Sequence, residues 1–278
     1  MPTFRVVTDN ASDLPPEVAR RAGITIVPLD VRFAGRRAPE IGVMDPERFW
    51  QESPTSMSLT ETSAPSPGAF AEAFASAKRD GCEGAVCVTI SADLSSTYDA
   101  ARAGAAAVVD FPVEVIDSRS ATMGEGLLAL EAAAQAEVAR DLHALADHVR
   151  DAVPRLGVLG TLDSLDSLRR GGRIGAATAL LGSVLSVKAV IEIRDGVVAA
   201  ESRQRTRARS LSYLADKIAA AGSLTRIAVI HAQAHDLESF LELLAPVCNL
   251  DDAIITLMGP VIGAHTGPGT IGVCFLHA

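Results

Sequence analysis

The alternation of short apolar runs with helix-forming segments in the first half of this 278-residue chain limits its possible folds most. Phe4–Thr8, Ile24–Val31, Gly84–Ile90 and Val113–Ile116 read as strands. Helix signals lie between them. Ser12-Asp13 ahead of Pro15-Pro16 predicts a helix through Arg21, Ser66 ahead of Pro67 predicts one to about Arg79, and Ser96–Val108 gives a third. A polar, proline-punctuated region from Arg36 to Ser58 carries a short helix at Pro46–Gln51, and a long alanine-rich helical stretch covers Gly124–Arg150. Strands separated by helices require crossover connections, which produce a parallel sheet with helices on both faces. The first unit is therefore expected to be a three-layer α/β/α domain, residues 1–154.

From Pro154 the pattern changes. Leu156–Gly160, Val187–Ile193, Val197–Glu201, Arg226–Ala232, Ala253–Met258 and Thr270–Phe275 read as strands. Helices fit at Ser164–Arg170, Ala176–Leu185, Arg209–Ala221 and Asp236–Ala245. Arg194-Asp195-Gly196 marks a tight hairpin, so at least one strand pair is antiparallel. The second unit, residues 155–278, is expected to be an α/β domain with a mixed sheet.

A net charge of −9 argues against general binding to nucleic acid or anionic membranes. No apolar run approaches the ~18 residues of a membrane helix, and the N-terminus enters a strand at once, so neither an integral membrane segment nor a signal peptide is expected. Hydrophobic residues make up 48% of the chain but aromatics only 4%, which predicts an aliphatic, alanine-rich interior. The cysteines (Cys82, Cys87, Cys248, Cys274) form no Cys-x-x-Cys pair and read as reduced thiols. A cytoplasmic location is expected.

Ligands of open parallel sheets bind beyond the carboxyl ends of the strands. Those ends deliver Thr8-Asp9-Asn10, Ser91 to Tyr98 and Asp117-Ser118-Arg119-Ser120, and Thr60 to Pro65 stands before the helix capped by Ser66. These segments are rich in hydroxyls, and two run into helix N-termini, where free N–H groups favour an anion. Any one serine there reads equally as an ordinary N-cap. Near the C-terminus, Gly259 to Gly272 holds five glycines, two prolines, His265, Thr266 and Thr270 between two strand-like runs, and reads as a loop that approaches a ligand. Its Gly267-x-Gly269-x-x-Gly272 spacing is not a dinucleotide fingerprint, because a strand follows where a helix is required. There is no Gly-x-Ser-x-Gly elbow, no phosphate loop and no His-x-x-x-His pair, so neither a metal nor a cofactor is expected. Against the acidic whole, Arg203, Arg205, Arg207 and Arg209 alternate, and Arg169, Arg170 and Arg173 flank Gly171-Gly172. An extended backbone would put the first set on one face, either as a solvated edge or as a docking surface.

These segments together resemble the DegV family of bacterial fatty-acid-binding proteins. The resemblance rests on Thr8-Asp9-Asn10-x-x-Asp13-Leu14, Thr62-Ser63-Ala64-Pro65-Ser66-Pro67, Leu94-Ser95-Ser96-Thr97-Tyr98, Leu159-Gly-Thr-Leu-Asp163, Arg170-Gly-Gly-Arg-Ile174 and His265-Thr-Gly-Pro-Gly269, in that order along nearly the whole chain. The family usually carries Ser where Asn10 stands, Gln at Ala64 and Gly at Ser96. The resemblance implies a long-chain fatty acid held between two domains, its tail in an apolar tunnel formed by the second, its head group at loops that include Thr62, Ser63, Ser95 and His265 with Ser96 and Thr266 beside them. It further implies a non-catalytic subunit that presents the carboxylate to a separate ATP-dependent fatty acid kinase, which makes an acyl phosphate for phospholipid synthesis. Arg173, Arg203, Arg205 and Arg207 would then serve the head-group end or contact the partner. Two other readings compete: a serine-type hydrolase or acyltransferase using Ser95 and His265, and a small-anion sensor using the helix ends.

Overall fold

The computed structural model describes residues 3–33, 36–37, 46–52, 60–180 and 188–278. The first half runs β1 (Phe4–Asp9), α1 (Pro16–Arg21), β2 (Ile24–Val27), β3 (Asp30–Phe33), β4 (Arg36–Arg37), α2 (Pro46–Glu52), β5 (Glu61–Ser63), α3 (Pro67–Arg79), β6 (Gly84–Thr89), α4 (Thr97–Ala106), β7 (Val113–Asp117), α5 (Met123–Ala136) and α6 (Leu142–Ala152). The second runs β8 (Leu156–Leu162), α7 (Asp166–Arg170), β9 (Lys188–Arg194), β10 (Val197–Gln204), α8 (Arg207–Ala220), β11 (Leu224–His231), α9 (Leu237–Leu244), β12 (Ile254–Leu257), α10 (Pro260–Thr266) and β13 (Ile271–His277).

The first sheet, ordered β2-β1-β6-β7, is entirely parallel. The second, ordered β10-β9-β8-β13-β11-β12, is mixed: only β11 and β12 run parallel. A small antiparallel sheet, β4-β3-β5, sits apart from both. Both strands and loops thus follow the expected α/β pattern with one parallel and one mixed sheet. Asp195 and Gly196 take φ of 52° and 84° in the β9–β10 hairpin, the left-handed pair that a tight two-residue turn requires.

Strand alternation sorts the core into layers. On β1 and β6, Val7, Ala85 and Cys87 face α3 and α4, where Phe70 and Phe74 stack with ring centroids 6.2 Å apart. Val6, Val86 and Val88 face α5 on the other side. Helix α5 is buried along nearly its whole length, because its opposite surface meets Ala228 and Cys274 of the second sheet. The far face of that sheet, with Leu159, Val190, Val229 and Val273, packs against α8 and α9. One helix therefore serves as the middle layer between two sheets.

Several expected elements differ in detail. Gly124–Arg150 is two helices: buried α5, then amphipathic α6, whose start is capped by Asp141 accepting from His143 N–H at 3.1 Å. Ile24–Val31 breaks at Pro28, which lacks an N–H. The next N–H, from Leu29, donates to Asn10 Oδ1 at 2.8 Å, and β3 joins the small sheet. Ser12-Asp13 does not cap α1. Residues Asn10–Ser12 form a 3-10 turn, Asp13 turns left-handed with φ 51°, and α1 begins at Pro16. Gly175–Leu180 is a 3-10 turn where a helix to Leu185 was expected; residues 181–187 lie outside the described ones, as does most of Arg36–Ser58. Helix α8 starts at Arg207 rather than Arg209, with Thr206 accepting from Arg209 N–H.

The largest correction concerns Gly259–Gly272. Its first half is a helix, α10. Gly259 is extended, Pro260 occupies the first helical turn with its preset φ, and Gly267, at φ 81°, ends the helix.

Candidate functional site

A cavity of about 330 Å3 opens between the second sheet and the loops of the first. Its floor is one face of the second sheet: Val158, Gly160 and Leu162 on β8, Ile191 and Ile193 on β9, Ile230 on β11 and Gly272 on β13. Leu29, Ile90 and Leu94 from the first half and Val261 and Ile262 from α10 close over it. Such a space suits a largely apolar ligand, since most of its lining is apolar.

Polar groups converge at one end. Thr62, from β5, shares a hydrogen bond of 2.8 Å with Nε2 of His265, from α10. Ser95 and Ser96 lie between β6 and α4, and Arg173 follows α7. The Ser95 hydroxyl is paired with Thr97 Oγ1 at 2.8 Å, whereas Ser96 stands at the N-cap of α4 without a side-chain cap bond. Arg173 is held by the carbonyls of Leu94 at 3.1 Å and Gly171 at 2.7 Å. Burial, aided by the Arg173 charge, pushes the His265 pKa down to about 4, so the imidazole is neutral at pH 7. The other ring nitrogen, Nδ1, is buried without a hydrogen-bond partner among the described residues and abuts Gly171, where a Cβ would lie 2.2 Å away. The end of the cavity therefore offers neutral donors and one guanidinium. A carboxylate fits that set.

Helix α10 is held on three sides. The Asp13 carboxylate accepts the Gly259 N–H at 2.9 Å and the Thr122 hydroxyl at 2.6 Å, joining the first half to both α5 and α10. Trp50 Nε1 donates to the Met258 carbonyl at 2.7 Å, and the Phe49 and Trp50 rings pack over Gly263 so closely that a Cβ there would meet Trp50 at 2.6 Å. Thr62 completes the grip at His265. Thr266 Oγ1 turns back to the Ile262 carbonyl at 3.1 Å. Beneath these residues lies a buried acidic group. Burial raises Asp13 to about 7 and Asp9 to about 6, while burial and then the Asp9 charge hold Glu125 well above the usual carboxylate range. Thr8 Oγ1 donates to Glu125 at 2.8 Å, and the N–H groups of Ala11 and Ile90 donate to Asp9. Among the described residues, no group of His, Cys, Asp and Glu side chains could hold a metal ion.

A family model described as an uncharacterised protein of the DegV family matches residues 3–278. The chain belongs to the DegV family. A DegV domain-containing protein of Streptomyces coelicolor is 38% identical over 272 residues, 96% of either chain. One from Mycobacterium tuberculosis is 34% identical, over 98% of this chain and 96% of that one. Among solved structures, a DegV family protein of Thermus thermophilus, described by its fatty acid binding, superposes with a TM-score of 0.88 at 29% identity, covering 99% of each chain. The DegV protein of Bacillus subtilis, described as a fatty acid binding protein, gives 0.84 at 26% identity, again over 99% of each chain.

The segments that carried the DegV resemblance do meet. Thr62, Ser63, Ser95, Ser96, Arg173, His265 and Thr266 all line the cavity. Arg203, Arg205 and Arg207 do not, and their supposed common face is corrected: β10 ends at Gln204, and Arg207 begins α8. Arg207 turns inward, binding both carboxylate oxygens of Asp236 at 2.8 and 3.0 Å and the Gly269 carbonyl at 2.7 Å. Arg203 reaches the Ala179 carbonyl, and Arg205 is exposed. Sequence reasoning expected an apolar tunnel in the second half without naming the residues of its floor, and missed Thr122 and the joining role of Asp13. Asp13 was visible as a motif residue, but its partners stand 109 and 246 positions away.

Proposed function

We propose that the protein binds a long-chain fatty acid between its two halves and presents the carboxyl group to a separate ATP-dependent kinase. The observation that carries this reading is the cavity itself, mostly aliphatic along its floor, with Thr62, Ser95, Arg173 and His265 converging at one end. A tail of about 14 methylenes contributes roughly 11 kcal/mol gross at about 0.8 each. Association and chain ordering oppose it by about 4–15 kcal/mol. The head-group end then needs only to offset the desolvation of a carboxylate, which hydroxyl, imidazole and guanidinium donors do. Fatty acid binding by the Thermus and Bacillus relatives supports the same assignment. Phosphoryl transfer needs the carboxylate near the surface, and exposed Ser63, Ser96 and Arg173 border that end. Arg203 and Arg205 belong to the surface offered to the acidic face of a partner.

The hydrolase reading has less support. Ser95 is paired with Thr97, not His265, and among the described residues no carboxylate orients the imidazole. Mass spectrometry of an organic extract from the denatured, purified protein tests the proposal. A near-stoichiometric long-chain fatty acid is expected; an empty extract together with no uptake of added fatty acid would refute it.

A further inference from the structure

The floor of the cavity has a gap that packing does not explain. Gly160 and Gly272 are directly paired across β8 and β13, the two central strands of the second sheet, and both line the cavity. Central strands favour β-branched residues, and glycine weakens them by roughly 0.5–1 kcal/mol relative to alanine. Such a glycine usually marks a turn, a bulge or a close approach of backbone. At Gly157, three residues earlier, that is the case, since a Cβ would lie 2.2 Å from the Phe275 ring. At Gly272 a Cβ would press on Ile230 at 2.9 Å. Gly160 differs from both. Its φ is not positive, and a Cβ there would come no nearer than 3.5 Å to the Ile271 carbonyl and 3.9 Å to Ile191, ordinary van der Waals contact. Among the described residues, neither backbone nor neighbours require glycine. What lies over that position is the cavity.

We propose that Gly160 is a specificity-determining residue for the acyl chain, an inference that rests on the fatty acid reading above. Gly160 leaves a trough on β8 between the side chains of Ile191 and Ile193 on one side and that of Ile230, which leans over Gly272, on the other. A straight saturated chain bridges such a trough and leaves a void beneath it, forfeiting dispersion contacts. A chain with a bend or a lateral methyl fills it. The site therefore prefers non-linear acyl chains, cis-unsaturated or methyl-branched, over straight ones of the same length.

The test compares delipidated wild type with Gly160→Ala and Gly160→Val, measuring dissociation constants for oleate, a methyl-branched acid and stearate. Wild type is expected to bind both non-linear acids more tightly than stearate. Filling the trough should weaken the non-linear acids about tenfold more than stearate, the scale of one methylene or more in an apolar pocket. A tighter grip on oleate but not on the branched acid, or the reverse, identifies which chemistry the trough serves. Thermal unfolding of empty Gly160→Ala should match or exceed wild type, since the added Cβ makes only ordinary van der Waals contacts. Unchanged ratios among the three acids in either stably folded variant overturn the role of Gly160, as does a wild type that prefers stearate. Absence of uptake of all three acids by wild type overturns the fatty acid reading itself, and so separates the two failures. If Gly160→Val unfolds, the proposed free space is absent and the inference falls with it.

Discussion

Gly171→Ala tests the arrangement of the polar end in one substitution. Gly171 has φ −73° and ψ −6°, so alanine is acceptable to the backbone and by itself favourable by up to about 1 kcal/mol. The obstacle is His265: the new methyl would lie 2.2 Å from Nδ1 and 2.8 Å from Cε1. No real contact survives at those distances, so the imidazole must move and the 2.8 Å bond to Thr62 must break. Overpacking of this kind costs roughly 1–3 kcal/mol, and the lost hydrogen bond about 1 more. The net expectation is a loss of about 1–3 kcal/mol and a fall in Tm of roughly 2–10 °C for a chain of this size. Fatty acid affinity should drop by about tenfold or less, because one donor leaves the head group while the tail contacts persist.

The assay is a double-mutant cycle with His265→Ala, read by urea denaturation of the lipid-free protein and by displacement of a fluorescent fatty acid. Without the imidazole the methyl has room, so Gly171→Ala should become neutral or slightly stabilising. The sign reversal, a coupling of about 2 kcal/mol, isolates the contact from any general effect of the substitution. An equal loss in both backgrounds would mean that Gly171 is needed for a reason other than His265, and the placement of the imidazole would be refuted.

Other expectations concern the residues around this end. Asp13 is raised from 3.8 to about 7, so its proton is held in the folded state and released on unfolding across that interval; stability from this group is full below pH 3.8 and is lost as pH rises through about 7. Asp13→Asn should therefore flatten unfolding free energy against pH in that window by up to about 1.4 kcal/mol per pH unit, and an unchanged slope in urea titrations would refute the buried protonation. Arg207→Ala should cost about 3 kcal/mol by stranding Asp236, whereas Arg205→Ala should stay within about 0.5 kcal/mol; similar losses would contradict the inward turn of Arg207. Ser95→Ala should lower phosphotransfer by the partner kinase more than it lowers fatty acid affinity, and equal losses of both would remove Ser95 from the presenting role.

Much of the fold was legible because its signals are local. Period-two apolar runs, Ser66 before Pro67 and Asp195-Gly196 each announce an element through chemistry confined to a few residues. The hydroxyl segments were legible as a site because parallel strands deliver their carboxyl ends to one edge. Features that failed to show depend on distant partners. Helix α10 hides inside a glycine-rich stretch, since Gly263 looks like a breaker until Phe49 and Trp50 are seen resting on it. Asp13 looks like a cap until its turn to φ 51° sends the carboxylate to Thr122 and Gly259. The alternate arginines looked like one strand face because the strand's end at Gln204 carries no proline or glycine.

On the fatty acid reading proposed above, the two tasks of the site fall to different parts of the chain. Apolar contact comes chiefly from the second sheet, whose floor is fixed by β8, β9 and β13, while most of the hydroxyls come from loops of the first half. Affinity can then be altered at Gly160 without touching the groups that face the carboxyl end. The reverse holds at Ser95. What keeps the two in register is buried α5, packed against both sheets, and the Asp13 carboxylate, which binds the start of α10. On that reading α10 carries both Val261 and Ile262 over the tail and His265 at the head, so it serves both tasks. Loosening its hold at Asp13 should thus weaken tail binding and head-group presentation together, whereas substitutions on the floor or at Ser95 should separate them.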